Sequence, residues 1–174
     1  MWGMLFVGII MKVLELGTGS GKIEKDSIGV DICRTEHVDV VHDLNVVPYP
    51  FEDSTFDLVY AHNILEHLRD IAVVMREIHR ISKPNALVSI IVPYYKSESA
   101  FWEHEHIHFF SDVTFREFTG EAYYNYRYDF RYRMEKLDMV TTGRFRRGLP
   151  FKRLLATFLW NIYDEMHIKM RVLK

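Results

Sequence analysis

The sequence predicts an α/β domain built on a mainly parallel β-sheet. Two observations carry this. Short runs rich in Val, Ile and Leu recur at Val13–Leu16, Ile28–Ile32, Val38–Leu44, Phe56–Ala61 and Ala86–Val92, and an amphipathic helix lies between the fourth and fifth. Near-continuous apolar runs of this length read as strands buried on both faces, the pattern of a parallel sheet. The 174 residues, 48% hydrophobic and 26% charged, suit one domain with a substantial core. It divides into a regular half, 1–95, and an irregular C-terminal half, 96–174.

Taken in order, residues 1–11 are apolar but too short to span a bilayer, and they lack the basic leader and small-residue cleavage site of a signal peptide. They read as a tail entering the first strand. The helix between the fourth and fifth runs has Asp70 as its cap and Ile71, Val74, Met75, Ile78 and Ile81 along one stripe. Pro84 closes it and Asn85 supplies the turn into the fifth strand. After Tyr95 the pattern becomes aromatic and charged. It predicts a helix over Asp112–Tyr124, a long alternating strand over Tyr126–Val140, a helix over Phe151–Tyr163 and a last strand over His167–Leu173. The expected strand order is 3-2-1-4-5, extended by one or two strands with His167–Leu173 inserted antiparallel.

Charge and cysteine content narrow the setting. Residues 1–126 hold 10 Lys/Arg against 19 Asp/Glu, whereas residues 127–174 hold 12 against 5. The basic C-terminal part could attract an anionic substrate, a nucleic acid or a membrane surface, or it could simply attract the acidic part. Cys33 is the only cysteine, which excludes an intramolecular disulfide and suits a reducing, cytoplasmic compartment.

The glycines Gly17, Gly19 and Gly21 directly follow the first strand, where bare backbone lets a ligand approach closely. Spacing discriminates among the ligands. A phosphate-binding loop needs glycine where Leu16 stands and Ser or Thr where Ile23 stands. A dinucleotide loop needs a third glycine where Lys22 stands and an acid about twenty residues on, whereas Asp31 comes too early.

The string Glu15-Leu16-Gly17-Thr18-Gly19-Ser20-Gly21 resembles the first motif of the class I S-adenosylmethionine-dependent methyltransferases. The following segments agree in order: Gly29-Val30-Asp31, His42-Asp43-Leu44, Phe51-Glu52-Asp53-Ser54-Thr55-Phe56-Asp57, Asn63-Ile64-Leu65-Glu66-His67-Leu68 and Glu77-Ile78-His79-Arg80-Ile81-Ser82-Lys83-Pro84. Together they resemble the methyltransferase type 11 branch over roughly residues 11–95. The resemblance implies a Rossmann-like fold and S-adenosylmethionine as cofactor. It implies that Gly17, Thr18, Gly19 and Gly21 pass under the cofactor with Glu15 near its amino end, and that Asp31, with Ile32 beside it, takes the ribose hydroxyls. Asp43 and Leu44 would hold the adenine, and Ala61 and His62 would line the methionine side. Adenine-N6 methylation is disfavoured, because Ala61-His62-Asn63 stands where its Asn/Asp-Pro-Pro-Tyr signature belongs.

One departure stands out. Only Lys22 to Asp26 separate Gly21 from Ser27, which leaves the first helix shortened and one sheet face thinly covered, a surface that a homodimer could bury.

The densest reactive cluster is Phe101-Trp102-Glu103-His104-Glu105-His106-Ile107-His108-Phe109-Phe110, after the fifth strand. His106 is the candidate catalytic residue, with Glu103 or His108 beside it, because histidine can take a proton from an acceptor near neutral pH. In the family it resembles, a histidine two or three residues before a Phe-Phe pair recurs. His104, His106 and His108 could alternatively bind zinc from one side of a strand, but no second His-rich segment completes a set, and no metal is assigned. The aromatic stripe Tyr123, Tyr124, Tyr126, Tyr128, Phe130 and Tyr132 could stack on bases, although packing on the core is favoured over nucleic-acid binding. The expected function is methyl transfer to a small metabolite or a sugar- or lipid-type precursor. The alternatives are a catalytically inactive binding protein and an RNA or protein methyltransferase.

Overall fold

The computed structural model describes residues 11–121 and 125–174. Its strands are β1 (Val13–Leu16), β2 (Ile28–Asp31), β3 (Val40–Val41), β4 (Phe56–His62), β5 (Ser82–Pro93), β6 (Arg131–Val140) and β7 (Glu165–Leu173). They form one sheet in the order β3-β2-β1-β4-β5-β7-β6. The first five are parallel, and β7 enters antiparallel between β5 and β6. The expected order and the inserted last strand are therefore both present. The apolar tail over residues 1–10, and Tyr123 and Tyr124 of the aromatic stripe, lie outside the described residues.

The helix α1 (Ile71–Ile81) forms where its apolar stripe predicts. The Asp70 carboxylate accepts hydrogen bonds from the backbone N–H groups of Ala72 and Val73, both at 3.0 Å, satisfying two donors that the first turn leaves free. Val74, Met75, Ile78 and Ile81 are buried in one cluster with Leu14, Leu16, Val59, Ala61, Val88 and Ile90 of the sheet. Burial of each such side chain contributes about 1.5–3 kcal/mol. The opposite rim of the cluster is closed by Tyr132 of β6, fully buried, whose hydroxyl donates to the Met75 carbonyl at 2.7 Å.

Several boundaries differ from expectation for local reasons. α1 stops at Ile81 and β5 begins at once, so Pro84 lies inside a bulge instead of closing the helix. Phe56 faces Ser82 and Leu58 faces Leu87, leaving Lys83, Pro84, Asn85 and Ala86 opposite Asp57 alone. Proline cannot donate to a ladder and disfavours helix at the preceding residue, and Asn85 takes φ +61° to finish the turn. The helix expected over Asp112–Tyr124 is instead a 3-10 turn over Thr114–Phe118. Phe115 and Phe118 are both buried, and residues three apart share one face in that geometry. The alternating strand starts only at Arg131, because Tyr128 and Phe130 turn inward onto Phe118. The last helix shortens to α2 (Lys152–Phe158), none of whose residues is buried.

The sheet is covered unequally. Residues 17–27 form turns and bends with no helix, in keeping with the shortened first helix read from the sequence. On the face away from α1, Tyr60, His62, Leu87, Ile91 and His167 are only half-buried. The cap at Asp70 offers a direct check on α1: Asp70→Ala should lower unfolding free energy by about 1 kcal/mol in chemical denaturation, the usual loss for an N-cap carboxylate.

Candidate functional site

The carboxyl ends of the parallel strands lie along one edge, and the order in which successive strands are added reverses between β1 and β4, which remain parallel to each other, the place where open α/β sheets leave a crevice. The glycine loop sits there. Gly17 and Thr18 donate backbone N–H bonds to the Val30 carbonyl at 2.9 and 3.1 Å, tying the loop to β2. Gly17 has φ +70°, and a β-carbon there would come within 2.9 Å of the Ile64 side chain, so only glycine fits. Gly19 has φ +58°, but nothing lies within 4 Å of where its β-carbon would stand. It presents bare backbone to open space, and Gly21 likewise has no neighbour at that distance. Thr18 is buried, its hydroxyl facing the carbonyls of Glu15 and Val30.

Three cavities follow this edge. The first, about 180 Å³, is lined by Glu15, Leu16, Gly17, Thr18, Gly21, Ile23, Tyr60 and His62. The second, about 230 Å³, shares Gly17 and includes Asp31, Ile32, Asp43, Leu44, Asn45, Ile64 and His67. The third, about 240 Å³, shares His67 and adds Asn63, Glu66, Trp102, Glu103, His106 and Glu165. A larger cavity of about 440 Å³ beside Tyr95 and Arg153 shares no residue with them.

The sequence-predicted residues fall on this path with two adjustments. Ala61 is fully buried in the core, because strand alternation turns it away from the cavity face that Tyr60 and His62 occupy. Glu15 reaches the first cavity, but its carboxylate already accepts three bonds at 2.7 Å, from the Ile23 and Glu24 backbone N–H groups and the Ser27 hydroxyl. It therefore holds the loop that replaces the first helix. Asp31 accepts from Gly19 N–H and Cys33 N–H, both at 2.9 Å. Asp43 accepts from the backbone and side chain of Asn45, and the backbone bond above all holds its carboxyl below the usual carboxylate range. Leu44 is buried beneath it and Ile32 is exposed. Burial, with His167 nearby, pushes the His62 imidazole down to about 4, and its Nε2 lies 3.0 Å from Ser89 Oγ.

The loop after β5 returns to the sheet where Tyr95 N–H donates to the Phe110 carbonyl at 2.9 Å. Within it the three alternating histidines diverge, so the zinc arrangement considered for them does not form. The His104 side chain is 94% exposed. His108 Nε2 lies 3.3 Å from the Arg69 carbonyl, and only His106 faces the third cavity. Ile107 and His108 donate backbone N–H bonds to the Glu66 carbonyl, at 2.9 and 3.3 Å, which draws this loop onto the 3-10 turn Leu65–His67. Reading from the sequence missed Glu66 and His67 as site residues. Glu66 is 1% exposed and, among the described residues, neither carboxylate oxygen has a hydrogen-bond partner. Burial pushes its carboxyl up to about 7, opposed by the nearby N–H of its own backbone, with Glu103 and Glu165 adding to the rise.

Comparison with known proteins gives the same architecture. Residues 10–126 match the family described as Methyltransferase domain. An S-adenosylmethionine-dependent methyltransferase from Archaeoglobus fulgidus aligns with a TM-score of 0.65 at 16% identity, over 92% of this chain and 86% of that one. One from Mesorhizobium loti aligns with a TM-score of 0.62 at 13% identity, over 92% and 90%. A Haloferax volcanii methyltransferase, solved in complex with the Trm112 methyltransferase activator, aligns with a TM-score of 0.61 at 18% identity, over 94% and 83%. Comparison of the sequence with curated proteins gives no match. The fold is the Rossmann-like class I methyltransferase fold, and the chain belongs to the methyltransferase domain family, whose methyl donor is S-adenosylmethionine.

Proposed function

We propose that this protein transfers a methyl group from S-adenosylmethionine, held in the first two cavities, to a small acceptor held in the third. The observation that carries the reading is the succession of three cavities along the carboxyl edge, the first two both lined by Gly17 and the last two both lined by His67. The residues present fit the cofactor. Gly19 and Gly21 leave open space over bare backbone, Asp31 is a carboxylate acceptor suited to ribose hydroxyls, and Asp43 and Leu44 offer a polar and an apolar partner for adenine. His62, uncharged at neutral pH, places no positive charge beside a cationic ligand.

The bound cofactor supplies an electrophilic methyl carbon, so the protein's main task is alignment. His106, which lines the third cavity, is fixed for this by its Nδ1, 3.2 Å from the Ala100 carbonyl, which leaves Nε2 as its available nitrogen. Beside that cavity lies an exposed aromatic cluster: Phe101 stacks on Phe109 at 4.8 Å and lies 6.0 Å from Trp160. This favours a sugar- or lipid-type precursor carrying an apolar portion.

Three outcomes test this. Asp31→Asn should weaken S-adenosylmethionine binding by roughly 1.5–3 kcal/mol in calorimetry, the scale of a hydrogen bond to a charged group, and Gly19→Val should weaken it further by filling ligand space. Unchanged affinity in both folded variants would exclude the assigned cofactor site. His106→Ala should lower turnover about 100-fold with cofactor affinity unchanged; wild-type turnover would remove His106 from the acceptor site. For His62, whose folded value lies below the ordinary 6.5, the unfolded chain binds the extra proton. The stability from burying it neutral is full above pH 6.5 and is lost as pH falls toward 4. Its NMR titration should centre near pH 4, and His62→Gln should flatten the fall in melting temperature between pH 6.5 and 4.

A further inference from the structure

We propose that Glu66, His67 and His106 form a binding site for a divalent first-row transition ion such as zinc, whose open positions hold an oxygen of the acceptor. One ligand atom from each of the three residues lies within 4.8 Å of the other two. Contraction to roughly 3.4 Å would place all three around one tetrahedral ion.

Three independent features make this a built site. Glu66 is buried, yet no other residue among those described hydrogen-bonds either of its carboxylate oxygens. Buried polar groups are almost always satisfied, and a cation in the third cavity satisfies this one without any donor from the protein. His106 is held as a ligand would be: its Nδ1 is committed to the Ala100 carbonyl, which fixes the ring and leaves Nε2 as the nitrogen available to an ion. Its ring stands edge-on to that of His67, with centroids 4.7 Å apart. The backbone bonds from Ile107 and His108 to the Glu66 carbonyl hold together two segments that are far apart in sequence.

Two imidazoles with one carboxylate suit zinc and its neighbours better than magnesium, which prefers an all-oxygen set. Three protein ligands leave positions open for water or substrate. Glu103 and Glu165, which line the same cavity, add negative charge near the ion. The acceptor half of the proposal rests on the placement of the acceptor in this cavity; the metal half does not. An acceptor hydroxyl bound to the ion loses its proton to solvent. Its oxygen then forms the bond to the methyl carbon as the carbon–sulfur bond breaks and the demethylated cofactor departs. His106 thus acts on the acceptor through the ion instead of taking the proton itself.

The test is calorimetric titration of metal-stripped protein with zinc chloride, with the fold of each variant checked by circular dichroism. One equivalent should bind to the wild type. Affinity should fall about 100-fold in Glu66→Gln, in His106→Ala and in the half-buried His67→Gln, while His104→Ala, at an exposed histidine, should bind as the wild type does. Absence of stoichiometric binding, or wild-type affinity in the three ligand variants, overturns the site. Titration of the same samples with S-adenosylmethionine separates this from the broader reading: zinc binding without cofactor binding sinks the proposed function and the acceptor half that rests on it but leaves the metal site, and the reverse sinks only the metal site. For the acceptor half, cobalt replaces zinc and acetohydroxamate, a small oxygen chelator, is added. A shift in the visible cobalt bands supports open positions facing the cavity, and an unchanged spectrum overturns that half.

Discussion

The Glu15 carboxylate, buried at the end of the central strand, draws the backbone N–H groups of Ile23 and Glu24 and the hydroxyl of Ser27 onto itself. Bonds of this kind, made to a carboxylate away from water, each contribute about 1.5–3 kcal/mol. They stand where a helix would otherwise pack, and they allow residues 17–27, without a helix, to carry the chain from β1 to β2. Because that crossing is short and fixed, Gly17 and Thr18 reach the Val30 carbonyl and Gly19 N–H reaches Asp31. The glycine loop at the carboxyl edge depends on this anchoring. Lys22 reinforces it from outside, with its Nζ 2.6 Å from Asp39 and 2.7 Å from the Ser27 carbonyl.

A second set of bonds secures the loop between β3 and β4. Glu77 of α1 accepts from Tyr49 N–H at 2.8 Å, and Arg80 donates to the carbonyls of Tyr49 and Phe51 and to Asp53. The side chains that bury α1 and those that hold this loop therefore share one helix. Cavity wall and core are two sides of the same packing, since the residues alternating with Tyr60 and His62 are the core residues Val59 and Ala61.

Much of this was legible from residue order. The apolar runs placed β1, β2, β4 and β5, and Asp70 with the stripe behind it placed α1, because buried parallel strands and capped helices each leave a local signature. β3 shrank to two residues because its pairing with β2 covers only Val30 and Asp31. The segment Asp112–Phe118 has helical spacing, but Phe115 and Phe118 alone secure it, and two anchors three residues apart suit a single tight turn. The position of the glycine loop and of Asp31 and Asp43 along the carboxyl edge was readable because the glycines and acids lie at strand ends in a fixed order. Glu66 was not, although the Glu66-His67 pair was in plain view. Among the described residues its carboxylate is bonded by no other, and the Glu66 carbonyl meets Ile107 and His108 only when the loop from beyond β5 folds back, a tertiary event with no local signature.

The position of β7 has a consequence for how the molecule is made. The strand that joins β5 to β6 is the last of the seven to leave the ribosome, yet it is an interior member of the sheet. Until residues 165–173 emerge, β5 presents an unpaired edge bearing Val88, Ile90 and Val92, a surface able to recruit strands from other nascent chains. The alternation in β7 of buried Met166, Ile168, Met170 and Val172 with His167, Lys169 and Arg171 suits this late arrival. Its apolar face completes the core, and its cationic face discourages a further chain from stacking on the sheet during synthesis.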